Sequence, residues 1–267
     1  MTKGLSSEQI NRYRREGYVY PLQALSSAEA ASYMRGLETM EKRGGPDVLK
    51  TLRGKAHLLS TSLYKLMSHP RILDHVESII GPDILVWNSS LFLKEPHDPA
   101  YVQWHQDVYE FDDTSDYVVS AWVALLPSTV PNGAMRVVPG SFKNRLVEHT
   151  QIAPGTAAMI RDNMEIGVDV DEASAVDIVL EAGEMSLHHM YTFHGSPPNR
   201  SDHRRCGFAI RYVAPDVAKR NSPYAATVVR GQDRFGYFQN DPVPSTDLDP
   251  EMIEYVKHYG KPKLPAR

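Results

Sequence analysis

The chain has 267 residues, 42% hydrophobic and 23% charged, with a formal net charge of −4; this length supports its own core, and the mild acidity runs against a nucleic-acid partner, which selects a basic face. One cysteine, Cys206, excludes a disulfide framework and a cysteine-built zinc site. No apolar run reaches the roughly 18 residues of a membrane span, and neither a secretory leader nor a peroxisomal ending is read at the termini, so the expected location is the cytoplasm, with no membrane partner.

The first eighty residues carry helix signals. Ser6 to Gln9 has capping-box spacing ahead of Ile10 and Tyr13, with Gly17 as the stop. Ser26 to Glu29 repeats that spacing, and Ala30, Tyr33, Met34, Leu37 and Met40 then mark one helical face as far as Gly44-Gly45-Pro46. A third helix is predicted over Ser60–Met67. A fourth is predicted over Ile72–Ile80, opened by Pro70 and closed by Gly81-Pro82.

Beyond Gly81 the texture changes to short runs rich in Val, Ile, Phe and Trp between Pro, Gly and Asn clusters. The predicted strands are Ile84–Leu93, Val102–Phe111, Val118–Leu126, Met135–Val138, Ile178–Leu187, Tyr191–His194 and Cys206–Val213. Arg145–Asp177 reads as an insertion, partly helical. The tail from Pro215 holds Tyr224, Phe235, Tyr237 and Phe238 and is too aromatic for a disordered end. Helices first and strands after imply an α+β fold, mainly β, with the helices packed on one sheet of an antiparallel sandwich or barrel. No internal repeat or linker divides the chain. One domain, 1–267, is expected, with helices in 1–80, a β core in 81–213 and a C-terminal extension in 214–267.

The chemistry concentrates at Trp104-His105-Gln106-Asp107. On a strand, residues two apart share a face, so His105 and Asp107 project together; on a helix they would diverge. The second signal is His194-Gly195-Ser196 followed by a Pro-Pro-Asn turn and Arg204-Arg205. A strand is expected to end at His194 and Cys206–Val213 to run back. Two histidines and one aspartate match the facial triad of non-haem Fe(II) oxygenases, which leaves positions open for co-substrate and O₂. On the returning strand Arg205, Gly207, Ala209 and Arg211 share one face, and Cys206, Phe208, Ile210 and Tyr212 the other. An arginine inside a barrel needs an anion, and a planar carboxylate suits its fork. His188 reads as support or filler in its strand, His189 as facing away, Asp112, Asp113 and Asp116 as a solvated loop, and Cys206 as inert core.

These residues resemble the phytanoyl-CoA dioxygenase family of Fe(II)/2-oxoglutarate oxygenases. The resemblance rests on Trp104–Asp107, Ser120-Ala121-Trp122, Pro131–Ser141 and His194-Gly195-Ser196 with Arg205, and it runs from about Ser7 to Val213. It implies a double-stranded β-helix (a cupin-like jelly roll) with the N-terminal helices against the larger sheet. It also implies that His105, Asp107 and His194 bind iron. Arg205 then grips the far carboxylate of 2-oxoglutarate with Ser196 as hydroxyl partner, and Trp122, Ser90 and Lys55 line the co-substrate pocket. Some members of the wider family halogenate after replacing the carboxylate ligand with a small residue; Asp107 favours hydroxylation. The usual Pro-Gly-Ser-His reads Pro139-Gly140-Ser141-Phe142 here.

The function expected is therefore hydroxylation of a small, polar or anionic metabolite, with O₂ consumed and succinate and CO₂ released. Another metal enzyme on a cupin-like barrel and a non-catalytic jelly-roll binding module are the alternatives; Arg205 argues against the first and the complete triad against the second. Candidate substrate contacts are His57, Asn88, Tyr109 and Arg230, from the loops expected around the pocket mouth.

Overall fold

The computed structural model describes residues 4–107, 116–153, 155–160, 164–217 and 224–259. Both capping boxes form: Ser6 and Ser26 accept from the backbone N–H groups of Gln9 and Glu29, whose side chains return to the caps. The helices they open are α1 (Ser7–Glu16) and α2 (Ser27–Gly44). Such caps each contribute about 1 kcal/mol by satisfying donors that helix geometry leaves orphaned. The other N-terminal helices are α3 (Ala56–Leu59), α4 (Thr61–Met67) and α5 (Pro70–Ile80), the last with proline where no hydrogen bond is lost. Between α1 and α2 runs β1 (Tyr18–Gln23), which the sequence reading missed.

The remaining strands are β2 (Ile84–Lys94), β3 (Val102–His105), β4 (Val118–Ala124), β5 (Met135–Val137), β6 (His149–Gln151), β7 (Met164–Ile166), β8 (Val176–Ile178), β9 (Glu184–His189), β10 (His194–Ser196), β11 (Arg205–Val213), β12 (Tyr224–Arg230) and β13 (Phe238–Asn240), followed by helix α6 (Pro250–Tyr259). A seven-stranded sheet runs β1-β9-β4-β11-β2-β12-β13, and a four-stranded sheet runs β3-β10-β5-β8. All described pairings are antiparallel except β12 with β13 and a Tyr101–Ala158 bridge. The fold is mainly β with N-terminal helices, a jelly roll.

Side-chain alternation separates two cores. Cys206, Phe208, Ile210 and Tyr212 of β11 join the apolar faces of α2, α4 and α5 on one side of the large sheet. Trp122, Ala124, Ala209 and Phe92 meet Val102, Met135, Val137 and Ile178 of the small sheet on the other. The site therefore lies between the sheets, on a platform backed by helices.

Three sequence expectations are corrected. The run Ile178–Leu187 divides at the Ala182-Gly183 turn into β8 and β9, which belong to different sheets. Tyr191–His194 is not a strand; β10 begins at His194. The carbonyls of Met190, Tyr191 and Thr192 accept instead from Asp107 N–H, Gln106 Nε2 and His194 Nδ1, each at 2.9 Å, so the ladder is surrendered to the site. The insertion over Arg145–Asp177 holds the β6–β7 ribbon and, as its described helical part, one turn of 3₁₀ helix at Glu172–Ser174.

The C-terminal extension is bound to the body. β12 extends the large sheet beside β2, and Asp247 Oδ1 accepts from Thr61 N at 2.8 Å. Lys55 Nζ meets Asp241 Oδ2 at 2.8 Å, with the lysine side chain 4% exposed and the aspartate 0%. No helix among the described residues is long and apolar enough to cross a membrane. Removing one member of a buried ion pair strands the other charge. Lys55→Met is therefore expected to lower unfolding free energy by about 3–5 kcal/mol, read by urea denaturation.

Candidate functional site

The register of the small sheet builds the site. β10 lies between β3 and β5, and His194 is the direct cross-strand partner of His105. Directly opposed residues bring their side chains together, and the two imidazole centroids stand 3.9 Å apart. β3 stops at His105, so Asp107 does not share a regular strand with it, as the sequence reading expected. Asp107 is carried back to the same place by its N–H bond to Met190 O. His105 Nε2 and His194 Nε2 are each 3.8 Å from Asp107 Oδ1. One ligand atom from each of the three residues lies within 4.8 Å of the others, a group that could hold a metal ion.

Both rings are set as ligands. His105 Nδ1 meets Gln103 O and His194 Nδ1 meets Thr192 O, each at 2.9 Å. A carbonyl can only accept, so Nδ1 carries the proton and Nε2 the lone pair. Burial pushes His105 down to about 4 and holds His194 well below its usual value, so both rings are neutral near pH 7. His105 Nε2 is buried without a hydrogen-bond partner among the described residues. Such an atom is costly unless something coordinates it.

Asp107 is 2% exposed at its side chain. Burial alone would raise its pKa; the Arg211 guanidinium foremost, with the His188 hydrogen bond, overrides it and holds the carboxyl well below its usual range. Arg211 donates from Nη2 at 2.6 Å and Nε at 3.1 Å to Oδ1. Oδ2 accepts from Ser120 at 2.5 Å and faces His188 Nε2 at 3.0 Å. Two neutral imidazoles and one anchored carboxylate, all N/O donors on one side of an open cavity, fit a divalent iron with free positions.

The cavity is walled by Phe92, Val102, Trp122 and Met135. Arg205, Ala209 and Arg211 line it from β11, as alternation requires. Six residues, about 20 Å of strand, separate Arg211 beside Asp107 from Arg205. Arg205 is 2% exposed, lies 4.7 Å over the Trp122 ring and donates to Gly133 O and, at 3.4 Å, to Ser196 Oγ. Among the described residues its Nε has no partner and it makes no ion pair with a carboxylate. Burial pushes Arg205 down to about 10, so it remains cationic at neutral pH. Gly207 has to be glycine here, because a β-carbon would overlap the Trp122 ring.

The other expected contacts scatter. Ser90 is buried and accepts from Gly54 N at 3.2 Å, and Asn88 Oδ1 accepts from Lys55 N at 3.0 Å; together they hold the 54–55 backbone over β2. Lys55 does not line the cavity: its ammonium is committed to Asp241, Trp87 O and Ala225 O. His57 is likewise away from the cavity, fully buried, with Nδ1 2.7 Å from Ser89 Oγ and Nε2 3.7 Å from Asp241. Arg230 donates to Asp74 and Glu77 of α5 at 2.8 and 2.6 Å, on the helix-covered face. Tyr109, Asp112 and Asp113 lie outside the described residues. His189 faces Asp116 at 3.5 Å, and Cys206 is a buried thiol that burial pushes up to about 12. The sequence reading did not mark Ser120, Lys94 or the walls Phe92 and Met135 as site residues. Lys94 could have been found from β2 itself, since it shares a face with Ser90 and Phe92.

The family model described as phytanoyl-CoA dioxygenase matches residues 5–207. A curated relative from Stutzerimonas stutzeri, named a probable alpha-ketoglutarate-dependent hypophosphite dioxygenase, is 29% identical over 231 residues, 79% of either chain. The human peroxisomal phytanoyl-CoA dioxygenase is 28% identical over 159 residues, 58% of this chain and 46% of that one. Among solved structures, the apo form of the non-heme monooxygenase ThoJ superposes with a TM-score of 0.80 at 33% identity over 94% of both chains. CytC3 with Fe(II) and alpha-ketoglutarate superposes at 0.65 with 21% identity over 93% and 97% of the two chains, a likeness of fold.

Acid tests the neutral rings. His105 and His189 are both lowered to about 4 from 6.5. Between those values the unfolded chain binds protons that the folded one refuses, so stability falls as pH drops. For the metal-free protein, urea unfolding should lose up to about 3 kcal/mol per ring as pH falls from 6.5 toward 4. A flat profile contradicts the neutral assignment.

Proposed function

The chain belongs to the phytanoyl-CoA dioxygenase family and is an Fe(II)/2-oxoglutarate-dependent dioxygenase, and on that footing we propose that it hydroxylates a small, polar or anionic metabolite through iron held by His105, Asp107 and His194. The observation that carries this reading is a complete two-histidine, one-carboxylate group at one end of a cavity whose β11 wall also bears a buried arginine without a carboxylate partner among the described residues. When bound, iron and 2-oxoglutarate supply the oxidising power: the 2-oxo acid is cleaved by O₂ to succinate and CO₂, and one oxygen atom goes to the substrate.

The protein's own part is geometry, charge and dryness. His105 and His194 present Nε2 lone pairs because Gln103 O and Thr192 O hold their Nδ1 protons. Arg211, Ser120 and His188 fix the rotation of Asp107 and its ionisation, the support that sets ligand affinity in metal sites. A carboxylate there fills the place that a halide would need, which supports hydroxylation over halogenation. Arg205 and Ser196 receive the far carboxylate of 2-oxoglutarate, while Phe92, Trp122 and Met135 exclude water from its chain. The substrate class is supported by the polar side chains at the metal end, where Arg211 and His188, both bound to Asp107, line the cavity. The phosphorus oxyanion in the relative's name is one member of that class.

His105→Ala, Asp107→Ala and His194→Ala should each abolish Fe(II)-dependent succinate formation while circular dichroism shows the fold retained; activity surviving in all three sinks the triad. Arg205→Ala removes a charge-assisted contact in a dry site, about 1.5–3 kcal/mol. It should weaken 2-oxoglutarate binding roughly 10- to 100-fold, with Arg205→Lys only partly better because the planar fork is lost. Unchanged affinity in Arg205→Ala moves the carboxylate clamp elsewhere.

A further inference from the structure

Arg205 is not the only buried basic side chain at its end of the cavity. Lys94, the last residue of β2, is 0% exposed and is the direct cross-strand partner of Arg205. Its Nζ donates to Ser196 Oγ at 2.7 Å, to Pro197 O, and to Ser196 O at 3.4 Å. Neither Lys94 nor Arg205 makes an ion pair with a carboxylate among the described residues. The charged groups around the lysine are Arg205 from β11, Arg53 from the segment before α3 and Asp98 from the turn after β2. Burial and the Arg205 charge push Lys94 down to about 6, so its amine is largely neutral near pH 7 until an anion beside Arg205 favours the charged form. Such a pair persists where an anion is to be received.

Ser196 shows how the lysine acts. A hydroxyl has two lone pairs and one proton. Lys94 Nζ and Arg205 Nη1 both donate into Ser196 Oγ. With an anion on Arg205 holding Lys94 in its ammonium form, neither group can accept, so the serine proton points elsewhere, and no described residue accepts it. A carboxylate lying on Arg205 supplies that acceptor. Without Lys94, Ser196 could turn its proton toward Pro197 O or Ser196 O, the carbonyls the lysine now occupies, and be lost as a donor.

We propose that Lys94 is a positioning residue for the co-substrate: it fixes Ser196 as a donor to the far carboxylate, takes up a second positive charge behind it when that carboxylate binds, and so selects a dicarboxylic 2-oxo acid over a monocarboxylic one. The inference rests on the functional reading above, in which Arg205 and Ser196 receive that carboxylate. A lysine that only latched the Ser196–Pro197 turn would have no preference between acids of equal length.

The test is calorimetric binding to the Fe(II)-loaded chain held anaerobically, with two ligands. One is 2-oxoglutarate. The other is 2-oxopentanoate, which has the same chelating end and a methyl group in place of the far carboxylate. Lys94→Met should weaken 2-oxoglutarate about tenfold, the scale of one charge-assisted hydrogen bond, and leave 2-oxopentanoate unchanged. In a Ser196→Ala background the same substitution should cost about threefold or less, because the two residues act as a unit. Lys94→Gln, which keeps a donor without the charge, should fall between wild type and Lys94→Met, and it carries the test if the methionine variant does not fold. The proposal is overturned if 2-oxoglutarate affinity is unchanged in both variants, if both acids weaken equally, or if the losses from Lys94 and Ser196 simply multiply. If Arg205→Ala weakens 2-oxoglutarate while the Lys94 variants do not, this inference fails alone; if Arg205→Ala has no effect either, the carboxylate end of the functional reading fails with it.

Discussion

A charged carboxylate, Asp107, has to stay ionised inside the protein, and much of the local architecture answers to that demand. The side chain is 2% exposed and lies beside two neutral imidazoles, neither of which supplies a compensating charge. Arg211 supplies it from β11, Ser120 adds a hydroxyl from β4, and His188 a ring nitrogen from β9. These three strands are neighbours in the large sheet, in the order β9-β4-β11, while the triad histidines stand on the small one. The carboxylate is thus the point at which the sheets meet in charge as well as in packing. The helices back the opposite face of the large sheet and keep it from bending away.

The cavity divides by charge. Around the metal group the ligands are neutral or negative, with Arg211 committed to Asp107. Farther along β11, Arg205 and its neighbour Lys94 are basic groups without a described anionic partner. An elongated molecule with an anion at one end and a chelating group at the other complements that gradient, which is the chemistry of 2-oxoglutarate. Ala209 and Gly207 keep the wall between the two ends low, and Trp122 fills the space that Gly207 leaves.

Much of this was legible in the sequence, for identifiable reasons. The triad could be read because His105 and Asp107 are two apart and His194 precedes a turn dense in glycine and proline. The β11 face could be read because bulky residues alternate with small or basic ones from Arg205 to Tyr212. Reading failed where tertiary contacts override local pattern. Tyr191–His194 has strand composition, yet its Tyr191 and Thr192 carbonyls serve Gln106 and His194, beside Met190 O on the Asp107 N–H. Lys55 and His57 were assigned to the pocket from a loop whose backbone does lie over β2, but their side chains turn to Asp241 in an extension more than 180 residues away. Arg230 was taken for a pocket cation and is a tie to α5. Lys94 lies just past the predicted strand end at Leu93; its parity with Ser90 and Phe92 and its register against Arg205 place it inside.

The measurement that bears most directly on this account is a crystal structure of the anaerobic protein with Fe(II) and 2-oxoglutarate, with anomalous scattering collected at the iron edge. The account predicts one iron peak bonded to His105 Nε2, Asp107 and His194 Nε2, with the 2-oxo acid chelating it and the far carboxylate on Arg205 and the Ser196 hydroxyl. An iron peak elsewhere, or a far carboxylate turned away from Arg205, would contradict it.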